Sequence, residues 1–247
     1  MTTMLGIDIG GTGIKGAPVD IDSGQLAAPR FRIVTPQPAR PAPVADVVAQ
    51  VIEHHAWHGP VGVTFPAVVK NGVTLTAANV DKRWIGTDAD MVFTQRIGMP
   101  VHVLNDADAA GLAEMRYGAG KGRHGVIVMI TLGTGIGCAV FLDGRLVPNT
   151  ELGHIELGGK DAETIAASSV RDRKGLSWKK YAERVQAYLK ALDALIWPDL
   201  IIIGGGVSKT PEKFLPLIDV RPEVVPATLQ NEAGIVGAAL AASEVTP

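Results

Sequence analysis

The sequence predicts an α/β protein of two related lobes, on three observations. Aliphatic runs end twice in nearly the same glycine-rich turn, Asp8-Ile9-Gly10-Gly11-Thr12-Gly13-Ile14-Lys15-Gly16 and Thr131-Leu132-Gly133-Thr134-Gly135-Ile136-Gly137. A second apolar run follows each turn, which is the pattern of a β-hairpin and not of a strand feeding a helix. Elsewhere short apolar strands alternate with segments of helical periodicity. No tandem repeat of short period is present, so the recurring hairpin is what suggests two lobes.

Along the chain, the first hairpin is followed by a strand and turn over Val19-Asp20-Ile21-Asp22-Ser23-Gly24, then by a proline-rich connector from Pro36 to Pro43. Ala45 to His55 carries Val47, Val48, Val51 and Ile52 at helical spacing. Val61 to Pro66 reads as a buried strand ending at a loop, and Val101 to Leu104 as another that stops at Asn105-Asp106. The Ala-rich segment to Tyr117 is expected to be a helix, which puts Asp106 at a strand-to-helix junction. Ala162 to Ser169 and Ser177 to Ile196 are expected to be helical. Leu200 to Ile203 is a strand ending in Gly204-Gly205-Gly206, and Ala233 to Ala242 closes the chain as a helix. The lobes are expected at 1–105 with 231–247, and at 106–230.

With 247 residues, 47% hydrophobic and 19% charged, the chain has enough apolar material for two modest cores. A net charge of −2 argues against a general nucleic-acid binder, so any polyanion has to meet a local basic patch. The single cysteine, Cys138, excludes an internal disulfide, fits a reducing cytoplasm and reads as a buried thiol. Neither a leader nor a membrane span is expected.

Both glycine turns suit a phosphate chain. Glycine lets backbone N–H groups approach an anion closely, and Thr12 and Thr134 add hydroxyl donors. The alternative for either loop alone is a tight turn that needs glycine for geometry.

Six ordered motifs together carry a family resemblance: Asp8 to Gly16, Ala78-Asn79-Val80-Asp81-Lys82-Arg83-Trp84, Leu104-Asn105-Asp106-Ala107-Asp108, Thr131 to Gly137, Glu151-Leu152-Gly153-His154-Ile155-Glu156, and Gly204-Gly205-Gly206-Val207-Ser208-Lys209. They resemble the ROK sugar kinases of the actin-like ATPase superfamily (ribonuclease H-like fold), most closely the polyphosphate/ATP glucokinases. The resemblance covers nearly the whole chain. It implies two α/β lobes with the active site in the cleft between them, glucose as acceptor, polyphosphate or ATP as donor, and a homodimer.

Phosphoryl transfer to a sugar hydroxyl needs a base, phosphate anchors and a divalent ion. Asp106 is the candidate base for the sugar 6-hydroxyl; its alternative role is a helix N-cap, against which the family's Asn-Asp pair weighs. Phosphate contacts are expected from Gly10, Gly11, Thr12, Gly13 and Lys15, from Thr131, Gly133, Thr134 and Gly135, and from Gly204, Gly205 and Gly206. Asp8 beside the first loop would repel phosphate unless a cation intervenes, which suits Mg²⁺ held mostly through water. By motif position, Asn79, Asn105, Asp106, Glu151, His154 and Glu163 match the family's sugar ligands, whereas Glu156 reads as a solvated charge.

The chain departs from the commonest family pattern after His154. Many ROK kinases place a Cys-x-Cys-Gly-x-x-Gly-Cys zinc segment there, but here Ile155-Glu156-Leu157-Gly158-Gly159-Lys160-Asp161-Ala162-Glu163 follows. A thiolate zinc site is therefore not expected, a departure that the polyphosphate glucokinases share. Polyphosphate also calls for a basic track, for which Lys121, Arg123 and His124, or Arg171, Arg173, Lys174, Lys179 and Lys180, are candidates. The remaining readings are a strictly ATP-dependent hexose kinase and a sugar-binding regulator. The regulators of this family carry a helix-turn-helix domain ahead of the fold, and none is expected in the few residues before the first hairpin.

Overall fold

The computed structural model describes residues 2–78 and 80–245, and its strand pairing follows one plan twice. In the first sheet, β1 (Thr3–Gly10) and β2 (Gly13–Asp20) are antiparallel with Gly10 opposite Gly13, so Gly11 and Thr12 make the turn. β3 (Phe31–Ile33) lies antiparallel on the outer side of β2. α1 (Pro41–His54) starts four residues before the expected Ala45, inside the proline-rich stretch. Proline in a first turn forfeits no helical hydrogen bond, so Pro41 and Pro43 open the helix instead of excluding it. The buried face of α1 is Val44, Val47, Val48, Val51 and Ile52.

β4 (Val61–Phe65) is buried along its length and runs parallel to β1. The β5 (Val69–Lys70) and β6 (Val73–Thr74) hairpin follows, then α2 (Ala89–Ile97), which the Asp88 carboxylate caps and Gly98 ends at φ 71°. β7 (Val101–Asn105), parallel to β4, passes without a loop into α3 (Asp106–Tyr117).

The second sheet repeats the order. β8 (Val126–Leu132), β9 (Ile136–Leu142) and β10 (Arg145–Val147) form the antiparallel part. A small hairpin, β11 (Glu156–Leu157) and β12 (Lys160–Asp161), precedes α4 (Glu163–Ala166) and α5 (Ser168–Lys174). The single helix expected over 162–169 is thus two short ones, broken where Ala167 is extended at ψ 150°. The break has a cause: Ser168 Oγ and Ser169 N donate to Gly133 O, and Ser169 Oγ to Thr134 O. α6 (Trp178–Ile196) buries Tyr181, Ala182, Val185, Tyr188, Leu189 and Leu192, an apolar stripe at helical spacing. β13 (Leu200–Gly205) and β14 (Glu223–Pro226) complete the sheet in parallel with β8. Sheet orders β3-β2-β1-β4-β7 and β10-β9-β8-β13-β14 are the same arrangement.

The last helix, α7 (Ala233–Val245), returns to the first sheet and is buried on nearly every side. Its packing is backbone on backbone. A Cβ on Gly6 of β1 would lie 1.9 Å from Ile235 O, and one on Gly62 of β4 1.8 Å from Ala238 O. Two compact units result, Met1–Ala113 with Glu232–Pro247, and Glu114–Asn231. The division falls inside α3, eight residues beyond the expected 105: α3 starts directly on the end of β7, and its Ala109 carbonyl lies against α7, where a Cβ on Gly237 would be 1.7 Å from it.

Candidate active site

In the first unit, the parallel strands place chemistry at their carboxyl ends, where ligands bind in open α/β sheets. Asp8 of β1 is level with Thr64 of β4, which is level with Leu104 of β7, so Asp8 and the Asn105-Asp106 pair occupy one end of the sheet. Thr64 Oγ1 donates to Asp8 Oδ1 at 2.8 Å and accepts from Ile9 N at 3.3 Å. Lys15 stands opposite Asp8 in the hairpin register, its Nζ 3.0 Å from Asp8 Oδ2. Gly234, at the start of α7, leaves room for this carboxylate: a Cβ there would be 2.9 Å from it.

The first glycine loop is held by its carbonyls. Thr35 Oγ1 donates to Gly10 O, Gln37 Nε2 to Gly11 O at 3.3 Å, and Arg32 Nη2 to Thr12 O at 2.7 Å. Arg32 therefore lies over the loop, and a Cβ on Gly13 would meet its guanidinium at 2.3 Å. Strand periodicity carries no signal for this cation, although Lys15 and Arg32 are register partners.

Asn105 and Asp106 have different tasks. The Asn105 side chain is buried; its Oδ1 accepts from Ala107 N at 2.8 Å and Asp108 N at 3.0 Å, and its Nδ2 donates to Ala67 O at 3.0 Å. The Asn105 side chain thus caps the start of α3. Asp106 is exposed, with Oδ1 2.9 Å from Ala107 N. Asn79, the other amide expected at the sugar, lies outside the described residues.

The second unit gathers the remaining expected residues. Gly204 and Gly205 of β13 pair with Thr131 and Leu132 of β8, which brings both glycine motifs to the same carboxyl end. Gly205 is in the left-handed region at φ 80°, and a Cβ there would lie 2.4 Å from Leu132 O. Beyond the strand, Gly206 begins a 3-10 turn whose Ser208 Oγ donates to Gly205 O at 2.8 Å. The loop Gly133-Thr134-Gly135 is anchored by the two serines of α5 and by Glu163, whose Oε2 accepts from Ile136 N at 3.3 Å.

Glu151, His154 and Glu163 form a cluster that includes Asp161, which the motifs do not mark. His154 Nδ1 is 2.8 Å from Asp161 Oδ2, its Nε2 is 3.7 Å from Glu151 Oε2, and Glu163 N donates to Asp161 Oδ1 at 3.1 Å. His154, Asp161 and Glu163 each bring one ligand-type atom within 4.8 Å of the others. The Asp161 hydrogen bond, with the nearby carboxylates, raises the proton affinity of His154 above its ordinary 6.5. Desolvation raises Glu151, against the opposing pull of His154, and Glu163 raises it further. Gly153 lets the turn sit on β9, since a Cβ there would be 2.2 Å from Ile136 O. Tyr188 Oη, 3.3 Å from Leu152 O, supports it from α6, and burial pushes the neighbouring Cys138 thiol up to about 11, an inert packing residue.

Two of the expected track residues are engaged. Arg123 pairs with Glu223, and Arg171 bonds Asp172 and stacks 3.8 Å over the Trp178 ring. Lys121, His124, Arg173, Lys174, Lys179 and Lys180 are exposed. Among the described residues no helix is long and apolar enough to cross a membrane.

The chain resembles known proteins over most of its length. Residues 4–173 match the model of the ROK family. The chain is 56% identical over 238 residues to the polyphosphate glucokinase of Mycobacterium tuberculosis (strain CDC 1551 / Oshkosh), covering 96% of this chain and 90% of that one. Among solved structures, the inorganic polyphosphate/ATP-glucomannokinase from Arthrobacter sp. strain KM superposes with a TM-score of 0.96 at 52% identity, covering 100% of both chains. A ROK family glucokinase from Streptomyces griseus, in complex with glucose and AMPPNP, gives 0.83 at 26% identity over 98% of this chain and 100% of that one. By this match, this identity and the repeated actin-like sheet, the chain belongs to the ROK family.

Proposed function

We propose that this protein is a glucokinase that transfers a phosphoryl group from polyphosphate or ATP to the 6-hydroxyl of glucose. The observation that carries the reading is the division of labour at the end of β7. Asn105 accepts from two N–H groups at the start of α3, and the Asp106 carboxylate, at the first position of that helix and with Oδ1 on Ala107 N, is exposed. A carboxylate so placed can take the hydroxyl proton as the oxygen attacks phosphorus. The names and the identities of the relatives support glucose as acceptor and polyphosphate as a donor.

Within the first unit, Asp106 holds the proton, and the backbone N–H groups of Gly11 to Gly13 with Lys15 and Arg32 face donor phosphate. Asp8, its carboxylate fixed by Thr64 and Lys15, is the residue that would hold Mg²⁺, mostly through water. The ion, when bound, neutralises charge developing on the phosphate oxygens. Lys15 beside Asp8 limits the repulsion between that carboxylate and phosphate. In the second unit, Thr131, Gly133 to Gly135 and Gly204 to Gly206 provide a second phosphate cradle, and Glu151, His154 and Glu163 accept from sugar hydroxyls. Acceptors at fixed positions discriminate strongly, because an analogue lacking a hydroxyl leaves one unpaired. We take the working form to be a cytoplasmic homodimer.

A coupled assay with glucose, Mg²⁺ and each donor tests the function. Glucose 6-phosphate is expected with both, faster with polyphosphate. Product from ATP alone would favour the strictly ATP-dependent reading, and no product from either would refute kinase activity.

A further inference from the structure

A short hairpin brings a carboxylate from outside the motifs onto His154. β11 and β12 turn back through Gly158 and Gly159, and the register Glu156 to Asp161 returns Asp161 beside the imidazole that the chain left seven residues earlier. Both carboxylate oxygens of Asp161 are then used, Oδ2 on His154 Nδ1 and Oδ1 on the backbone N–H of Glu163. We infer that Asp161 is a positioning residue for sugar recognition, holding His154 with its proton on Nδ1 so that Nε2 presents a lone pair to a glucose hydroxyl.

Two physical points support this. A carboxylate only accepts, so the imidazole nitrogen 2.8 Å from it must carry the proton, and Nε2 of the neutral ring is left as an acceptor. Glu151 Oε2, 3.7 Å from Nε2, is an acceptor too, so the pair can receive hydroxyl donors. The charged groups around the ring are Asp161, Glu163 and Glu151, and all three favour its protonation. Once protonated, Nε2 becomes a donor to Glu151 and the sugar loses an acceptor. Glucose affinity is therefore expected to fall as the pH drops through the raised titration point of His154.

The inference rests on the reading of this cluster as the sugar site, and nitrogen–proton correlation NMR of His154 separates the two. In the wild-type protein without sugar the neutral ring is expected as the Nδ1–H tautomer, titrating above 6.5. Asp161→Ala is expected to restore the Nε2–H form and to raise the glucose KM about tenfold, with kcat changed less than about threefold. Asp161→Asn keeps an acceptor without the charge. It is expected to retain the Nδ1–H tautomer and a KM near wild type while the titration, and with it the acid limb of kcat/KM for glucose, moves to lower pH. A glucose-dependent shift of the His154 signals with an unchanged tautomer and titration in both variants would overturn the role of Asp161 alone. Signals indifferent to glucose would overturn the sugar site and this inference with it.

Discussion

Asp106 and Asn105 are adjacent and both polar, yet one is buried in backbone contacts and the other is exposed. The difference follows from strand alternation: Asn105 points into the junction between β7 and α3, where unsatisfied helix N–H groups need an acceptor. Replacing Asp106 by Asn removes the proposed base while preserving size. The expected outcome is a kcat loss of about 10²- to 10⁴-fold with glucose binding intact by calorimetry. Retained turnover would take Asp106 out of that role. Asp8 presents a related case, since its charge is flanked by the Lys15 ammonium and the Thr64 hydroxyl. Hairpin register makes the Asp8–Lys15 pair readable once the turn is placed at Gly11-Thr12, whereas Thr64 comes from a strand 56 positions away.

At the level of elements, α7 decides how tightly the first sheet is backed. Helix and sheet meet through Gly6 and Gly62 with no side chain between them. Interiors are packed too closely to absorb such an insertion. Gly62→Ala would set a Cβ 1.8 Å from the Ala238 carbonyl oxygen, and the helix backbone would have to move. A loss of about 3 kcal/mol is expected, at the upper end of overpacking costs. A urea denaturation midpoint equal to that of the wild type would contradict this packing account. In the second unit, the short α4 and α5 illustrate the reverse dependence, of elements on a loop. The serines that would have continued one helix instead bind the carbonyls of Gly133 and Thr134, so the helix breaks where it holds the second glycine loop.

On the scale of the whole molecule, a net charge of −2 has to be reconciled with a polyanionic donor. The exposed cations Lys121, His124, Arg173, Lys174, Lys179 and Lys180 all belong to the second unit, as does the second glycine loop. A local field of this kind is screened over roughly 10 Å at 0.1 M salt. The KM for long-chain polyphosphate is accordingly expected to rise steeply with added KCl, and the KM for ATP, which engages only the cradle, much less. Equal salt responses for the two donors would argue against a basic track.

The sequence by itself determined the two glycine hairpins, the strand-to-helix junction at Asp106 and the motif order that places the chain among the ROK proteins. These are local patterns: turns need glycine, strands alternate, and both are written in neighbouring residues. The tertiary structure alone decided which polar groups meet. Asn105 became the cap, Arg32 came to lie over the first loop, Thr64 took hold of Asp8, and Asp161 returned to His154 through a hairpin of two-residue strands. Each of those contacts depends on sheet register or on a turn without apolar periodicity, and neither leaves a mark in composition or spacing.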